Sequence, residues 1–350
     1  MTEQKSIKLA VMMSALNEEK TIGRVIDAVP RGAGMPAEVQ VIVVDDGSED
    51  ATGRIAAEKG AIVIRHPQRE GLGRSFAEGL ERALEEGADV IVNIDADGQF
   101  DAGDIPELIR PILQGDADMV TASRFACPNL APGMPWVKRW GNRQMCRLVN
   151  FVTGRTSLTD ASCGFRAYSL QAALHLHLSG NFTHVQETII ALADKGLRIK
   201  EVPLAVRGVR EHGRSRMAGS LLRYAWGAGG TVLRALYRTR PLFFFGLLGA
   251  GVMGLGVLQS LAVFIHWWRT GQTRPIQSLL LGASLFITVG FLILVLAFLA
   301  DMLNRATDVS ERLLFYVKLD QYRGRRGRSS APTRPQSPPA EGSPRSPPSP

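Results

Sequence analysis

The sequence predicts an α/β protein, a mostly parallel sheet with helices on both faces, followed by a two-helix transmembrane hairpin. Three observations carry this. Through residues 1–216, short β-branched apolar runs alternate with helical stretches. The polar clusters of that part fall where those runs end. Residues 242–300 are almost wholly apolar.

The first part divides into elements in order. Residues 7–14 form a short apolar run, and Asn17 is placed to N-cap a helix reaching Val29. Residues 39–44 are strongly β-branched and end in Asp45-Asp46-Gly47-Ser48, and a helix follows that Gly60 closes. Residues 62–65 form a strand, 74–86 a helix, 89–94 a strand running into Asp95, 105–113 a helix and 119–124 a strand. Alternation of this kind builds a sheet covered on both faces, whose strands are apolar throughout. Ligands of such sheets sit beyond the carboxyl ends of the strands.

Composition narrows the class. The chain has 350 residues and a net charge of +8, much of it at Arg234, Arg238, Arg240, Arg323, Arg325, Arg326 and Arg328, flanking the apolar region and entering the tail. Basic flanks suit anionic lipid head groups. No nucleic-acid motif accompanies them, so nucleic acid is not the expected partner. Cys127, Cys146 and Cys163 lack metal-ligand spacing, and so few cysteines argue for a reducing compartment. No apolar signal region follows Met1, so the first domain is expected in the cytosol. The dinucleotide fingerprint fails, because Gly71-Leu72-Gly73 leads to Phe76 where the third glycine belongs, and no Walker motif occurs.

Residues 242–265 and 278–300 are uncharged runs of 24 and 23 residues. At about 1.5 Å per residue each spans roughly 35 Å, enough for a hydrocarbon core of about 30 Å. The connector carries Trp267 and Trp268 with only Arg269 and Arg274, whereas the outer flanks are richer in arginine, so both flanks are expected in the cytosol. An integral protein of the inner, cytoplasmic membrane is expected, with the first domain and both termini cytosolic. Residues 217–240 mix Leu221, Leu222, Trp226, Leu233, Leu236 and Tyr237 with Arg223, Arg234 and Arg238, as an interfacial helix does. Residues 303–328 read as an amphipathic cytosolic segment, and residues 329–350, with eight prolines, as a disordered tail.

Asp95-Ala96-Asp97-Gly98-Gln99 follows a hydrophobic strand, and two carboxylates at i and i+2 there can converge on one hard cation. Such an ion neutralises charge on a departing diphosphate. Ser14-Ala15-Leu16-Asn17-Glu18-Glu19, then Val43-Val44-Asp45-Asp46-Gly47-Ser48, then this acidic run resemble the family-2 glycosyltransferases in order and spacing. Within that family the resemblance is to dolichyl-phosphate mannose synthases and bacterial polyprenyl-phosphate glycosyltransferases.

The resemblance implies a GT-A type sheet and a donor site for a GDP- or UDP-sugar. Ser14, Leu16 and Glu18 would line the nucleotide, and Val44 and Asp46 would touch the nucleoside. Asp95, Ala96 and Asp97 would hold the diphosphate and a Mg²⁺ or Mn²⁺ ion, with Gln99 as a further metal ligand. Arg124 matches an arginine near the phosphates, and Arg210 through Arg216 resembles an R-x-x-G-x-S-K element, with arginine replacing the final lysine. The segment Asp160-Ala161-Ser162-Cys163-Gly164-Phe165-Arg166 resembles D-x-x-x-G-F-R near the acceptor. Asp160 is a candidate base. A phosphate acceptor with a second pKa of about 6 is already dianionic, so Asp160 is equally a candidate for orienting the acceptor or a basic partner. Lys138, Arg139 and Arg143 are candidates for the lipid phosphate. The activity implied is inverting transfer of a sugar to polyprenyl phosphate.

Three alternatives stay open: another lipid or polysaccharide acceptor, an inactive scaffold, and a soluble nucleotidyltransferase. The processive Q-x-x-R-W element is missing, since Trp136 stands where glutamine would precede Arg139-Trp140. A homo-oligomer is compatible with the sequence.

Overall fold

The computed structural model describes residues 7–206, except 33, 34, 37, 128, 129, 131–133, 135, 155 and 177–183, and residues 241–329, except 275. Residues 210–216, the segment 217–240 and the tail beyond Ser329 lie outside the described residues.

The chain alternates as its hydrophobic pattern dictates. The elements are β1 (Lys8–Ala15), α1 (Ile22–Asp27), β2 (Glu38–Asp45), α2 (Thr52–Glu58), β3 (Ile62–Arg65), α3 (Leu72–Glu85), β4 (Val90–Asn93), a 3₁₀ turn (Ala102–Asp104) and α4 (Ile105–Leu113). Then come β5 (Met119–Ser123), α5 (Trp136–Thr153), β6 (Arg166–Ser169), α6 (Leu170–His175), α7 (His184–Asp194), β7 (Ile199–Pro203), α8 (Pro241–Thr270) and α9 (Gln277–Ser329).

Seven strands form one sheet in the order β3-β2-β1-β4-β6-β5-β7. β6 runs antiparallel to β4 and to β5, and the other neighbours are parallel. The period of two along β1 sends Leu9, Val11 and Met13 to one face and Ala10 and Met12 to the other, all 2% exposed or less. The first face packs under α1, α2 and α4 through Ile22, Ile26, Ala56, Ile105 and Leu108. The second packs under α3, α5, α6 and α7 through Phe76, Leu80, Val149, Ala173 and Ile189. Burial on both faces is the reason these strands lack polar alternation.

One expected element differs. Asn17 does not cap a helix: α1 begins at Ile22, with Thr21 at its N-cap. Asn17 instead adopts a left-handed φ of 52°, which asparagine tolerates better than most residues. Its Oδ1 accepts from the Glu49 N–H (2.9 Å) while its own N–H donates to Ser48 Oγ (3.0 Å), so the residue clamps the β1 and β2 loops together.

The helices α8 and α9 are long and apolar enough to cross a membrane. They pack antiparallel along a seam of small residues. A Cβ on Gly256 would lie 2.8 Å from the Ala283 carbonyl, and one on Gly290 2.6 Å from the Met253 nitrogen. Close backbone approach of this kind substitutes for a hydrophobic driving force that lipid cannot supply.

The amphipathic segment after the second apolar run is not a separate helix. It continues α9 without a break and docks on the catalytic domain. Lys195 pairs with Asp308 (3.1 Å) and Glu311 (2.7 Å), and the His175 ring stacks on Phe315 at 4.3 Å. Tyr322 is 5% exposed and joins the second core. Its hydroxyl donates to Asp89 Oδ1 (3.0 Å), Arg326 pairs with the same carboxylate, and the Lys8 N–H donates to Asp89 Oδ2 (3.0 Å). Asp89 thus ties the first strand to the last helix.

Replacing Asp89 by alanine leaves Tyr322 and Arg326 without their acceptor at a partly buried contact, at a cost of about 1–3 kcal/mol. Deuterium exchange of the amides of residues 315–326 is then expected to quicken by roughly tenfold. Unchanged exchange there would show that docking of α9 does not depend on Asp89.

Candidate active site

The carboxyl ends of β1, β2 and β3 carry one side of the site. The residues after β1 are held to those after β2 by the Asn17 clamp and by the Glu18 N–H, which donates to Thr52 Oγ1 (2.8 Å). Asp45 is buried and accepts from the Ser48 N–H (2.8 Å). Gly47 has φ +79°, and a Cβ there would sit 2.7 Å from the Gln68 carbonyl carbon, so only glycine lets these loops close. A cavity of about 540 Å³ lies against Gly47, Ser48, Glu49, Arg65, His66, Pro67, Gln68 and Arg69.

Ser14, Leu16 and Glu18 stand half-buried at the end of β1. The side chains of Val44 and Asp46, the two expected nucleoside contacts, are engaged within the protein. Val44 is 1% exposed, with Cγ2 over Gly79 of α3, so its side chain is a wall of the core. The Asp46 carboxylate turns to the β3–α3 loop, where Oδ1 accepts from the N–H groups of Glu70 (2.8 Å) and Gly71 (3.0 Å).

The sequence reading missed His66, one residue beyond β3. It is 5% exposed and bonded to a carboxylate through each ring nitrogen, Nδ1 to Asp46 Oδ1 (3.0 Å) and Nε2 to Glu78 Oε2 (2.8 Å). Burial disfavours the imidazolium, but the bonds to Asp46 and Glu78 and the nearby Glu70 charge outweigh it, so the His66 pKa lies above its ordinary 6.5. Burial likewise opposes ionisation of Asp46 and Glu78, but their hydrogen bonds hold both pKa values below the ordinary ones. A polar cluster right after a strand end is the signal that could have found it.

The other side of the site depends on β6. Its antiparallel insertion between β4 and β5 sets Asn93 and Thr121 both opposite Arg166. The segment before β6 therefore passes between the acidic end of β4 and Arg124 at the end of β5. Asn93 Nδ2 donates to the Gly164 carbonyl (2.7 Å). A Cβ at Gly164 would fall 3.1 Å from Asp95 Oδ2, so that glycine is the space the Asp95 carboxylate uses. Asp97 is 5% exposed and its Oδ1 accepts from the Gln99 N–H (3.0 Å). Ala96 is buried between them. Asp95, Asp97 and Gln99 offer only oxygen donors, the set a hard divalent cation takes, so the residues present fit Mg²⁺ or Mn²⁺.

Asp160 is 0% exposed. Arg124 donates to it as a fork, Nε to Oδ2 (2.6 Å) and Nη2 to Oδ1 (3.0 Å), and the Ser162 N–H adds a third bond (3.1 Å). Burial opposes charge on Arg124, but Asp160 and, more weakly, Asp95 overcome it and raise its pKa. Of the two roles open to Asp160, orienting a basic partner is the one its contacts support. Glu201 of β7, unforeseen in the sequence, holds this loop by accepting from the Thr159 and Asp160 N–H groups (2.9 and 2.8 Å). Burial pushes the Cys163 thiol up to about 12 and that of Cys146 to about 11, so both serve as neutral packing groups.

Arg124 also lines a second cavity, of about 510 Å³, with Arg139, Arg143 and Arg147 of α5 and with Asn142. Arg147 was not foreseen, although it stands four residues beyond Arg143 and eight beyond Arg139 on one helix. Lys138 is exposed and takes no part in the lining. Arg210 and Arg216 lie outside the described residues.

A doubly covered, mostly parallel sheet with one antiparallel strand, an acidic strand end and a basic cleft beside it define the class, a GT-A type sugar transferase. The chain belongs to glycosyl transferase family 2, whose description residues 10–176 match. It is 31% identical to the UDP-N-acetylglucosamine–dolichyl-phosphate N-acetylglucosaminyltransferase of Methanococcus voltae, covering 55% of this chain and 83% of that one. It is 32% identical to the undecaprenyl-phosphate mannosyltransferase of Micrococcus luteus, covering 58% and 82%. Among solved structures, a UDP complex of glucosyl-3-phosphoglycerate synthase from Mycobacterium tuberculosis superimposes with a TM-score of 0.51 at 26% identity, covering 67% of this chain and 80% of that one.

The His66 cluster makes stability depend on pH with a definite sign. A raised histidine pKa contributes stability that is complete below about 6.5 and lost as pH rises through the folded value. The lowered Asp46 and Glu78 contribute stability present above the ordinary carboxylate range and lost as pH falls below it. Thermal unfolding against pH is expected to show a decline above about 6.5 that His66→Gln removes, together with an overall loss of about 1–3 kcal/mol from the unpaired carboxylates.

Proposed function

We propose that this glycosyltransferase moves a sugar, with inversion, from a GDP- or UDP-sugar to a polyprenyl phosphate at the cytosolic face of the inner membrane. One observation carries the reading. Arg124 is a shared wall: it lies within electrostatic reach of Asp95 on the donor side and lines the arginine cleft on the other. The named activities of the two lipid-phosphate relatives support the acceptor class, and their different sugars leave the donor open.

The cavity at the β2 and β3 ends would take the nucleoside, with Ser14, Leu16 and Glu18 along its side. Asp95, Asp97 and Gln99 would hold the divalent ion, which when bound supplies positive charge to the leaving diphosphate. Arg124, kept charged and oriented by Asp160, faces the diphosphate, and Arg216 and Arg210 would add charge from outside the described residues. Arg139, Arg143 and Arg147 would receive the lipid phosphate, whose oxygens pair well with guanidinium forks. A lipid phosphate oxygen forms the bond to the anomeric carbon as the bond to the diphosphate breaks, and the nucleoside diphosphate leaves from the opposite face. The acceptor needs no proton removed, which accords with an Asp160 carboxylate committed to Arg124. Two membrane-length helices, with their arginine-rich flanks inside, would keep the acceptor's diffusion two-dimensional.

Membranes containing the protein, incubated with labelled nucleotide sugars, undecaprenyl phosphate and Mg²⁺ or Mn²⁺, are expected to form labelled lipid with one donor. Asp97→Ala should lower that rate by roughly 10²–10³, and full activity of this variant would refute the metal site. Arg143→Ala and Arg147→Ala should each raise the acceptor KM by about tenfold while leaving the donor KM unchanged. A donor KM that moves instead would put these arginines on the nucleotide.

A further inference from the structure

The three cysteines are all free, and they differ in setting. Cys146 and Cys163 are buried, whereas Cys127, in the loop after β5, is exposed. Exposure alone gives a thiol no partner, but the surroundings of Cys127 do. It lines the cavity of about 510 Å³ together with Arg124, Arg139, Arg143 and Arg147, and no aspartate or glutamate shares that lining. Arg124 is committed to Asp160, whereas among the described residues no carboxylate pairs with Arg143 or Arg147. A cleft of this charge draws anions from solution. Reactive cysteines sit in such electropositive, partly exposed surroundings, and buried ones are inert.

Asn142 adds a second requirement. It lines the same cavity, is 8% exposed, and donates through Nδ2 to the Thr159 carbonyl (2.9 Å). Its Oδ1 is buried and accepts no hydrogen bond among the described residues. A buried acceptor left unpaired is costly, so a ligand N–H or O–H gains by reaching it. The dianionic phosphate proposed for this cleft has no proton to give. The orphan acceptor therefore points to a second kind of occupant.

The lining asks for carboxylates to meet the arginines and an N–H or O–H to meet Asn142, beside a thiol able to bond the same molecule. A small peptide disulfide carries the carboxylates, the N–H groups and the reactive sulfur. The cavity falls within the range of about 300–1,000 Å³ that small-molecule sites occupy.

We propose that Cys127 is a modification site for low-molecular-weight anionic peptide disulfides, which dock on the cleft arginines and leave a mixed disulfide on its Sγ. The Cys127 sulfur, its proton lost to water, attacks one sulfur of the incoming disulfide. The new S–S bond forms as the old one breaks, and the released thiolate takes up a proton. Cys127 is oxidised and the departing half of the disulfide is reduced, so no further oxidant is needed. Thiol reductants reverse the step. The adduct fills the space given above to the acceptor phosphate, and that consequence alone rests on the proposed function.

Full-length protein in a non-ionic detergent is treated with glutathione disulfide or with the neutral bis(2-hydroxyethyl) disulfide, and intact mass and peptide mapping follow the product. Glutathione disulfide is expected to add one group, at Cys127. Its rate relative to the neutral disulfide should fall roughly tenfold when Arg143→Ala and Arg147→Ala are combined. In the unaltered protein, raising the salt should slow the anionic disulfide several-fold and leave the neutral one unchanged, a measurement that needs no variant. Equal salt dependence for the two reagents, or addition at Cys146 or Cys163 in place of Cys127, overturns the assignment. The adduct is expected to lose labelled-lipid formation and to regain it with dithiothreitol. An adduct at Cys127 that still transferred sugar at the full rate would keep the modification site and overturn the placing of the acceptor phosphate in this cleft.

Discussion

Asp160 is a carboxylate with no exposure to water, and the arrangement of the site follows from that constraint. A buried charge is costly unless a partner of good geometry meets it. Arg124 meets it bidentately, and the loop that carries Asp160 is pinned by Glu201 from the far edge of the sheet. With its fork committed, Arg124 cannot swing, and its remaining field falls on Asp95 and on the cleft beside α5. In the proposed reaction, this one ion pair would register the donor side to the acceptor side. The same ion pair commits the Asp160 carboxylate to Arg124, and the proposed phosphate acceptor would not demand a base.

A second network, Asp46–His66–Glu78, does comparable work beside the cavity at the ends of β2 and β3. It takes a carboxylate expected to face the ligand and turns it into an anchor for the β3–α3 loop. The two networks share a logic: each fixes a loop at the sheet's carboxyl edge through a charge that no single loop could satisfy alone.

The two membrane-length helices are tied to the opposite edge, where β1 and β4 begin. The unbroken α9 leaves the apolar seam and reaches Asp89 just before β4, the strand that leads to Asp95. A continuous helix resists bending over such lengths, so docking of its end also positions its apolar part relative to the sheet.

Much of this was legible in the amino-acid order. Period-two and period-3.6 patterns are local, so the strands and helices through residue 124 and both membrane-length runs could be read directly, as could the acidic strand end and the family, whereas β6 and β7 were not read. The sequence alone also singled out Asp95, Asp97, Arg124 and Asp160 as candidate site residues. Only the tertiary structure decided how they are used. It inserted β6 antiparallel between β4 and β5, spent the carboxylates of Asp160 and Asp46 on Arg124 and His66, freed Asn17 from a helix cap, and joined the last helix into one shaft. These are pairings between residues tens to hundreds of positions apart. Hydrophobic periodicity does not record them, because the free energy of a buried charge depends on which distant partner arrives beside it.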